Sequence, residues 1–183
     1  MIDRIDRVEA ILTIQQLVSR YAMAVDARDL DAWVNLFVPD VDCGKRGIGR
    51  VALKRFITPL VKHFYRSVHH ITSHVIDIID ADNATGKVYC RAEHEERDRF
   101  IVMACCYFDT YKRVDGEWLF VRRDEKFFYS HDYLERPQDA APDGRWPGDY
   151  SFTKPTLPQD FASWGRYWQD VSPEDVAQVT RHP

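Results

Sequence analysis

Asp26, His70, His94 and Arg123 are far apart in the chain, yet their side chains are the ones that could do acid–base chemistry together. A carboxylate that accepts from one imidazole nitrogen fixes the tautomer and leaves the other nitrogen as a general base near neutral pH. A second histidine or an arginine beside it would protonate a departing group or stabilise a developing oxyanion.

Alternation along strands is what must bring these groups together, because residues two apart share a face. After His69 the hydrophobic period changes from helical to twofold. In "HHITSHVIDIID" a regular strand puts His70, Thr72, His74, Ile76 and Ile78 on one side. In the next strand Gly86, Val88, Cys90, Ala92 and His94 lie together, while Tyr89, Arg91, Glu93, Glu95 and Arg97 face away. Leu119, Val121 and Arg123 share a side of a later strand. Each apolar row turns polar toward one end, and small residues such as Cys90 and Ala92 leave space beside it. This is the pattern of a half-polar cavity, with Tyr21, His74, Cys90 and Tyr107 as candidates for substrate contact.

Asp26 falls near the C-terminal end of a helix, where a carboxylate loses about 0.3–1 kcal/mol against the macrodipole. A partner such as His70 would compensate. The same residues also have plainer readings. Asp26 could serve the turn "DARD", His70 could donate to a backbone carbonyl, His74 could be structural, and Arg123 could be a solvated strand-end arginine.

The elements around them read clearly. Ile11, Ile14, Val18, Tyr21 and Val25 recur at helical spacing, so residues 3 to 27 form an amphipathic helix. "LDAWVNLF" follows with Asp29 as N-cap, and "ALKRFITPLVKHF" gives a third helix that Pro59 kinks or ends. "ADNATG" is a turn, and Asp115-Gly116 closes a tight hairpin. Three helices followed by about four long antiparallel strands make an α+β domain, the helices packed on one face of a curved sheet. From Pro137 the chain becomes rich in Pro, Gly and Trp. This divides it into a domain of residues 1–136 and an extension, 137–183, with a short helix capped by Ser172. Trp146 and Trp164 of the extension are expected over the pocket mouth or against a second subunit.

Composition excludes several classes. A formal charge of −4 with no basic stripe argues against nucleic acid. No apolar run approaches the roughly 20 residues that span a bilayer, and the N-terminus lacks a signal-peptide pattern. Four cysteines without CxxC spacing read as reduced thiols in a cytoplasm. On a strand, His70 and His74 stand roughly 13 Å apart, too far to share a zinc. There is no GxSxG elbow, phosphate loop or GxGxxG, so neither metal nor cofactor is expected.

The runs "LVSRYAMAVDARDLDAWVNLFVPDVD", "HHITSHVIDIIDADNATGKVYCRA" and "YKRVDGEWLFVRRD" together resemble the SnoaL-like branch of the nuclear transport factor 2 superfamily. The resemblance covers roughly residues 5 to 128. It implies a cone-shaped α+β barrel, a homodimer or homotrimer, and a cavity for a small molecule. In superfamily members such as scytalone dehydratase, hexachlorocyclohexane dehydrochlorinase and bile acid 7α-dehydratase, an aspartate ending the first helix orients a histidine that removes a proton from carbon. By that resemblance Asp26 and His70 form the dyad, His94 matches a second histidine, and Arg123 matches an arginine of the dehydrochlorinase. Tyr21 stands where the dehydrochlorinase has lysine, and Val25 where scytalone dehydratase has tyrosine, so the leaving-group machinery carries over less well than the base. The implied activity is dehydration of a small, hydrophobic, hydroxylated and aromatic substrate. The superfamily also holds carbon–carbon lyases that release formaldehyde from aryl dimers, isomerases, polyketide cyclases, transport adaptors and dioxygenase β subunits.

Overall fold

The first helix, α1, runs from Arg4 to Asp26 in the computed structural model, which describes residues 3–95, 99–133, 156, 160 and 162. Its buried stripe of Ala10, Ile14, Leu17, Val18, Ala22 and Val25 follows helical spacings of three and four, and packs on the sheet. Burying each of the larger aliphatic side chains contributes about 1.5–3 kcal/mol. Helix α2 spans Leu30–Asn35, and its N-cap Asp29 accepts from the Ala32 N–H at 2.9 Å. A 3-10 turn at Gly44–Arg46 leads to α3, Arg50–Val61. Pro59 sits inside α3, which continues two residues beyond it.

Four strands follow: β1 Arg66–Ile78, β2 Asn83–Glu95, β3 Phe100–Val114 and β4 Glu117–Asp132. They form one antiparallel sheet in the order β1-β2-β3-β4, curved around the helices. The turn before β2 is shorter than "ADNATG" suggests. Asp80 Oδ1 accepts from the Asp82 and Asn83 N–H groups at 2.8 and 2.9 Å, so the strand already resumes at Asn83. Asp115 and Gly116 take positive φ values of 50° and 88°, as a two-residue hairpin turn requires. The expected capped helix after Ser172, Trp146 and Trp164 lie outside the described residues.

Two strands depart from strict alternation: β1 once, and β4 at Val121 and again at Phe128. In β1 the register slips between Ile71 and His74. Ile71 pairs with Cys90 and His74 with Val88, so one extra residue is accommodated at Thr72-Ser73, both exposed. Such a bulge rephases everything on its far side. Ser67, His69 and Ile71 therefore face inward with His74, Ile76 and Ile78, and His70 faces outward. In β4 the register slips at Val121, so Phe120 rather than Leu119 falls on the face of Arg123, although Leu119 is buried too.

Candidate active site

Asp26 ends α1 with its carboxylate aimed at the start of β1. Oδ1 accepts from Ser67 Oγ at 2.9 Å and meets His69 Nδ1 at 2.7 Å, while Oδ2 accepts from the His69 backbone N–H at 2.8 Å. These donors answer the unfavourable helix-end position. Burial alone would raise the Asp26 carboxyl, but the hydrogen bonds and charge of His69, with the Ser67 hydroxyl, hold it below the usual carboxylate value. Burial likewise opposes protonation of His69, yet Asp26 outweighs it and lifts the imidazole above its ordinary value.

Arg28 holds this corner in place from the α1–α2 turn. It takes a left-handed φ of 60°, a conformation that costs roughly 1–2 kcal/mol for an L residue. Its Nη1 donates to Ser67 Oγ and to the Val25 carbonyl, both at 2.8 Å, and Nη2 donates to the Phe64 carbonyl at 3.2 Å. Arg28 orients Ser67, Ser67 orients Asp26, and Asp26 orients the histidine.

With Nδ1 committed to Asp26, the other ring nitrogen of His69 is left for a cavity of about 120 Å³. Its walls include Tyr21, Val25, Phe64, His94, Tyr107 and Phe127, with Glu125 as the carboxylate among them. An engineered apolar cavity of about 150 Å³ takes up benzene, so this space suits one six-membered ring. The His94 ring stands edge-on to His69 at 5.6 Å and beside Phe64 at 4.3 Å. Burial, then the charge of His69, pushes His94 down to about 3, so its imidazole is neutral at physiological pH. Glu125 is an exposed residue whose side chain lines the cavity and meets solvent. Burial raises its carboxyl, against the opposing pull of His69, Cys105, Arg123 and Tyr107.

Arg123 points inward, as alternation implies, but it does not line this cavity. Its Nε and Nη2 form a two-pronged pair with Asp109 at 2.8 and 2.6 Å, with side chains only 4% and 0% exposed. The rings of Tyr21, Tyr107 and Phe120 enclose the guanidinium at 4.1, 4.2 and 4.4 Å. Tyr111 donates to Asp109 Oδ2 at 2.6 Å, and His74 Nε2 meets the Tyr111 hydroxyl at 3.1 Å. His74, Tyr111, Asp109 and Arg123 thus form a polar layer next to the cavity, sealed at Asp109 and Arg123 and part-buried at His74.

The sequence-based assignments sort as follows. His70 is corrected: its side chain is half exposed, 3.9 Å from Glu93, and the β1 bulge gives its expected place to His69. Tyr21, His94 and Tyr107 line the cavity. His74 and Arg123 belong to the neighbouring polar layer instead. Cys90 is buried opposite Cys105 in the β2–β3 pairing and is not part of the cavity wall. Sequence reasoning missed Ser67 and Glu125. Glu125 and Phe127 follow Arg123 at two-residue steps, which was the available signal for them. Among the described residues, no three His, Cys, Asp or Glu side chains gather as a metal site, and no helix is long and apolar enough to cross a membrane.

Comparison with known proteins agrees with this geometry at the level of fold and family. Gamma-hexachlorocyclohexane dehydrochlorinase of Sphingobium indicum is 28% identical over 127 residues, covering 66% of this chain and 81% of that protein. A candidate scytalone dehydratase from Novosphingobium aromaticivorans superposes with a TM-score of 0.63 at 25% identity, covering 77% of this chain and 97% of its own. Hexachlorocyclohexane dehydrochlorinase LinA-type3 of Novosphingobium barchaimii superposes with a TM-score of 0.66 at 20% identity over 73% of this chain and 97% of its own, a likeness of fold alone. Residues 6–124 match the SnoaL-like domain, and this chain belongs to that family of the nuclear transport factor 2 superfamily.

Proposed function

We propose that the protein is a cofactor-independent lyase, in which His69, oriented by Asp26, removes a proton from carbon to start a dehydratase-type elimination. The observation that carries this reading is the 2.7 Å contact between Asp26 Oδ1 and His69 Nδ1 beside a cavity that His69 lines. An adaptor has no need of such a pair, nor of an unfilled interior. The aspartate places the proton on Nδ1, leaving the cavity-facing nitrogen with its lone pair, and stabilises the imidazolium that forms. Positioned proton transfer of this kind contributes about 10²–10⁴-fold.

The cavity favours a small, mostly apolar ring that carries an oxygen function. Aromatic and aliphatic walls contact the ring, and the polar groups concentrate near His69. The related dehydrochlorinase and candidate scytalone dehydratase support an elimination rather than a transfer or redox reaction. The test is turnover of a panel of hydroxylated aryl and alicyclic compounds, without metal or nicotinamide, by the parent protein, Asp26→Asn and His69→Ala. Activity in the parent alone is the expected outcome; equal activity in all three removes the mechanism.

A further inference from the structure

We propose that Glu125 is the general acid of this elimination, delivering a proton to the departing oxygen from the β4 wall of the cavity that His69 also lines. The inference rests on the reading of His69 as the base and adds the group that completes the reaction. It also narrows the substrate: the leaving group is one that needs a proton, a hydroxyl on the carbon next to the one His69 deprotonates.

Elimination of water has two demands, and the dyad meets only the first. The other groups near the cavity are poor proton donors. Arg123 is bound by Asp109 and enclosed by three rings. His94 is held neutral, with a pKa of about 3. Burial lifts the hydroxyls of Tyr21 and Tyr107 above the ordinary tyrosine value, away from the neutral range in which a general acid works best. Glu125 lines the same cavity, is reached by solvent through it, and has its carboxyl raised toward that range by burial.

The titratable and charged groups facing Glu125 come from every side. They are His69 on β1, Cys90 on β2, Cys105 and Tyr107 on β3, Arg123 on its own strand and Tyr21 on α1. His69 and Glu125 influence each other directly, so they titrate as a pair. The reactive form holds one proton between them, on the carboxyl. His69 takes the proton from carbon, and the C–H electron pair becomes the new carbon–carbon π bond. The C–O bond breaks, and its electron pair takes the Glu125 proton to give water. Imidazolium and carboxylate remain, and return of the proton from His69 to Glu125 resets the site.

Two ketones and two readouts separate the base from the acid. Exchange of α-hydrogen for deuterium in D₂O reports His69 alone, because no leaving group departs. Loss of hydroxide from β-hydroxycyclohexanone needs both groups, whereas loss of chloride from β-chlorocyclohexanone needs only the base. In Glu125→Gln, which keeps the shape, dehydration should fall about 10²–10⁴-fold. Exchange and chloride loss, followed across pH because loss of the Glu125 charge shifts His69, should fall far less than dehydration, since neither uses the proton transfer that this variant removes. Glu125→Asp should recover part of the dehydration, and a thermal melt checks that both variants fold. Undiminished dehydration by Glu125→Gln, an equal fall in chloride loss, or a parent protein that exchanges but never dehydrates would each overturn the assignment of Glu125. Undiminished exchange in His69→Ala would instead overturn the base on which it rests.

Discussion

Replacing Asp26 by asparagine should disable the base by moving one proton across an imidazole ring. The carboxylate has two oxygens and three donors: the His69 N–H on Oδ2, and Ser67 Oγ and His69 Nδ1 on Oδ1. An asparagine placed with its NH₂ toward the backbone would oppose two donors at about the 2.8 Å of that bond. Its oxygen must therefore stay with the backbone N–H, and its NH₂ must face His69 Nδ1. Nδ1 then has to accept, the ring proton moves to Nε2, and the cavity loses its lone pair. We expect α-hydrogen exchange to fall about 10²–10⁴-fold, equivalent to about 3–5 kcal/mol in the barrier. Exchanging charge-assisted bonds for neutral ones at a partly exposed group should lower stability by about 1–2 kcal/mol.

The pH dependence of that loss has a definite sign. The Asp26 carboxyl is held below its reference value of 3.8, so its contribution is present above that pH and disappears as the pH falls through the folded value. His69 is raised above 6.5, so its contribution is complete below 6.5 and fades as the pH rises through the folded value. The pair stabilises most between about pH 4 and 6.5, and the asparagine variant should lack that maximum in urea melts. ¹⁵N NMR of the imidazole reads the tautomer directly. A variant that keeps the proton on Nδ1, or exchanges within tenfold of the parent, would refute the reasoning.

Asp109→Ala should destabilise the protein by about 3–5 kcal/mol, because it strands the Arg123 guanidinium in a dry interior; urea denaturation measures this, and adding Arg123→Met should recover a substantial part. The His94 imidazole should show no titration between pH 5 and 8 by NMR, given its pKa of about 3, whereas His69 should titrate with a midpoint above 6.5. Arg28→Gly relieves a left-handed residue but removes the donors to Ser67, Val25 and Phe64. Stability should therefore change by less than about 1 kcal/mol, from opposing effects of roughly 1–2 kcal/mol each, while exchange slows several-fold as Asp26 loses its alignment.

Most of the architecture was legible because it rests on periodicity. The α1 stripe, the inward row of β2 from Ala84 to His94 and the Asp115-Gly116 hairpin each follow from local pattern. Asp26 was legible for a different reason, as a carboxylate at the wrong end of a helix dipole. The identity of its partner was not, because counting back in twos from Ile78 and Ile76 arrives at His70. The warning was Ile71: it lies at odd spacings from both isoleucines, and it can share their face only if the strand carries an extra residue. Thr72 and Ser73 absorb that residue without a glycine or proline to announce it. Arg123 points inward, but nothing local showed that Asp109, from the neighbouring strand, would claim it. Glu125 looked like one more charge in a charged run until the sheet curved it toward the dyad.

The Thr156 N–H donates to the Phe127 carbonyl at 3.1 Å, and Lys126 next to it pairs with Asp160 at 2.8 Å. Phe127 also supplies part of the cavity wall. Thr156 and Asp160, remote in sequence from Asp26 and His69, are thus fastened to the strand that carries Phe127 and Glu125. Diversification at those two positions offers evolution a way to retune which molecules fit while Asp26 and His69 stay untouched.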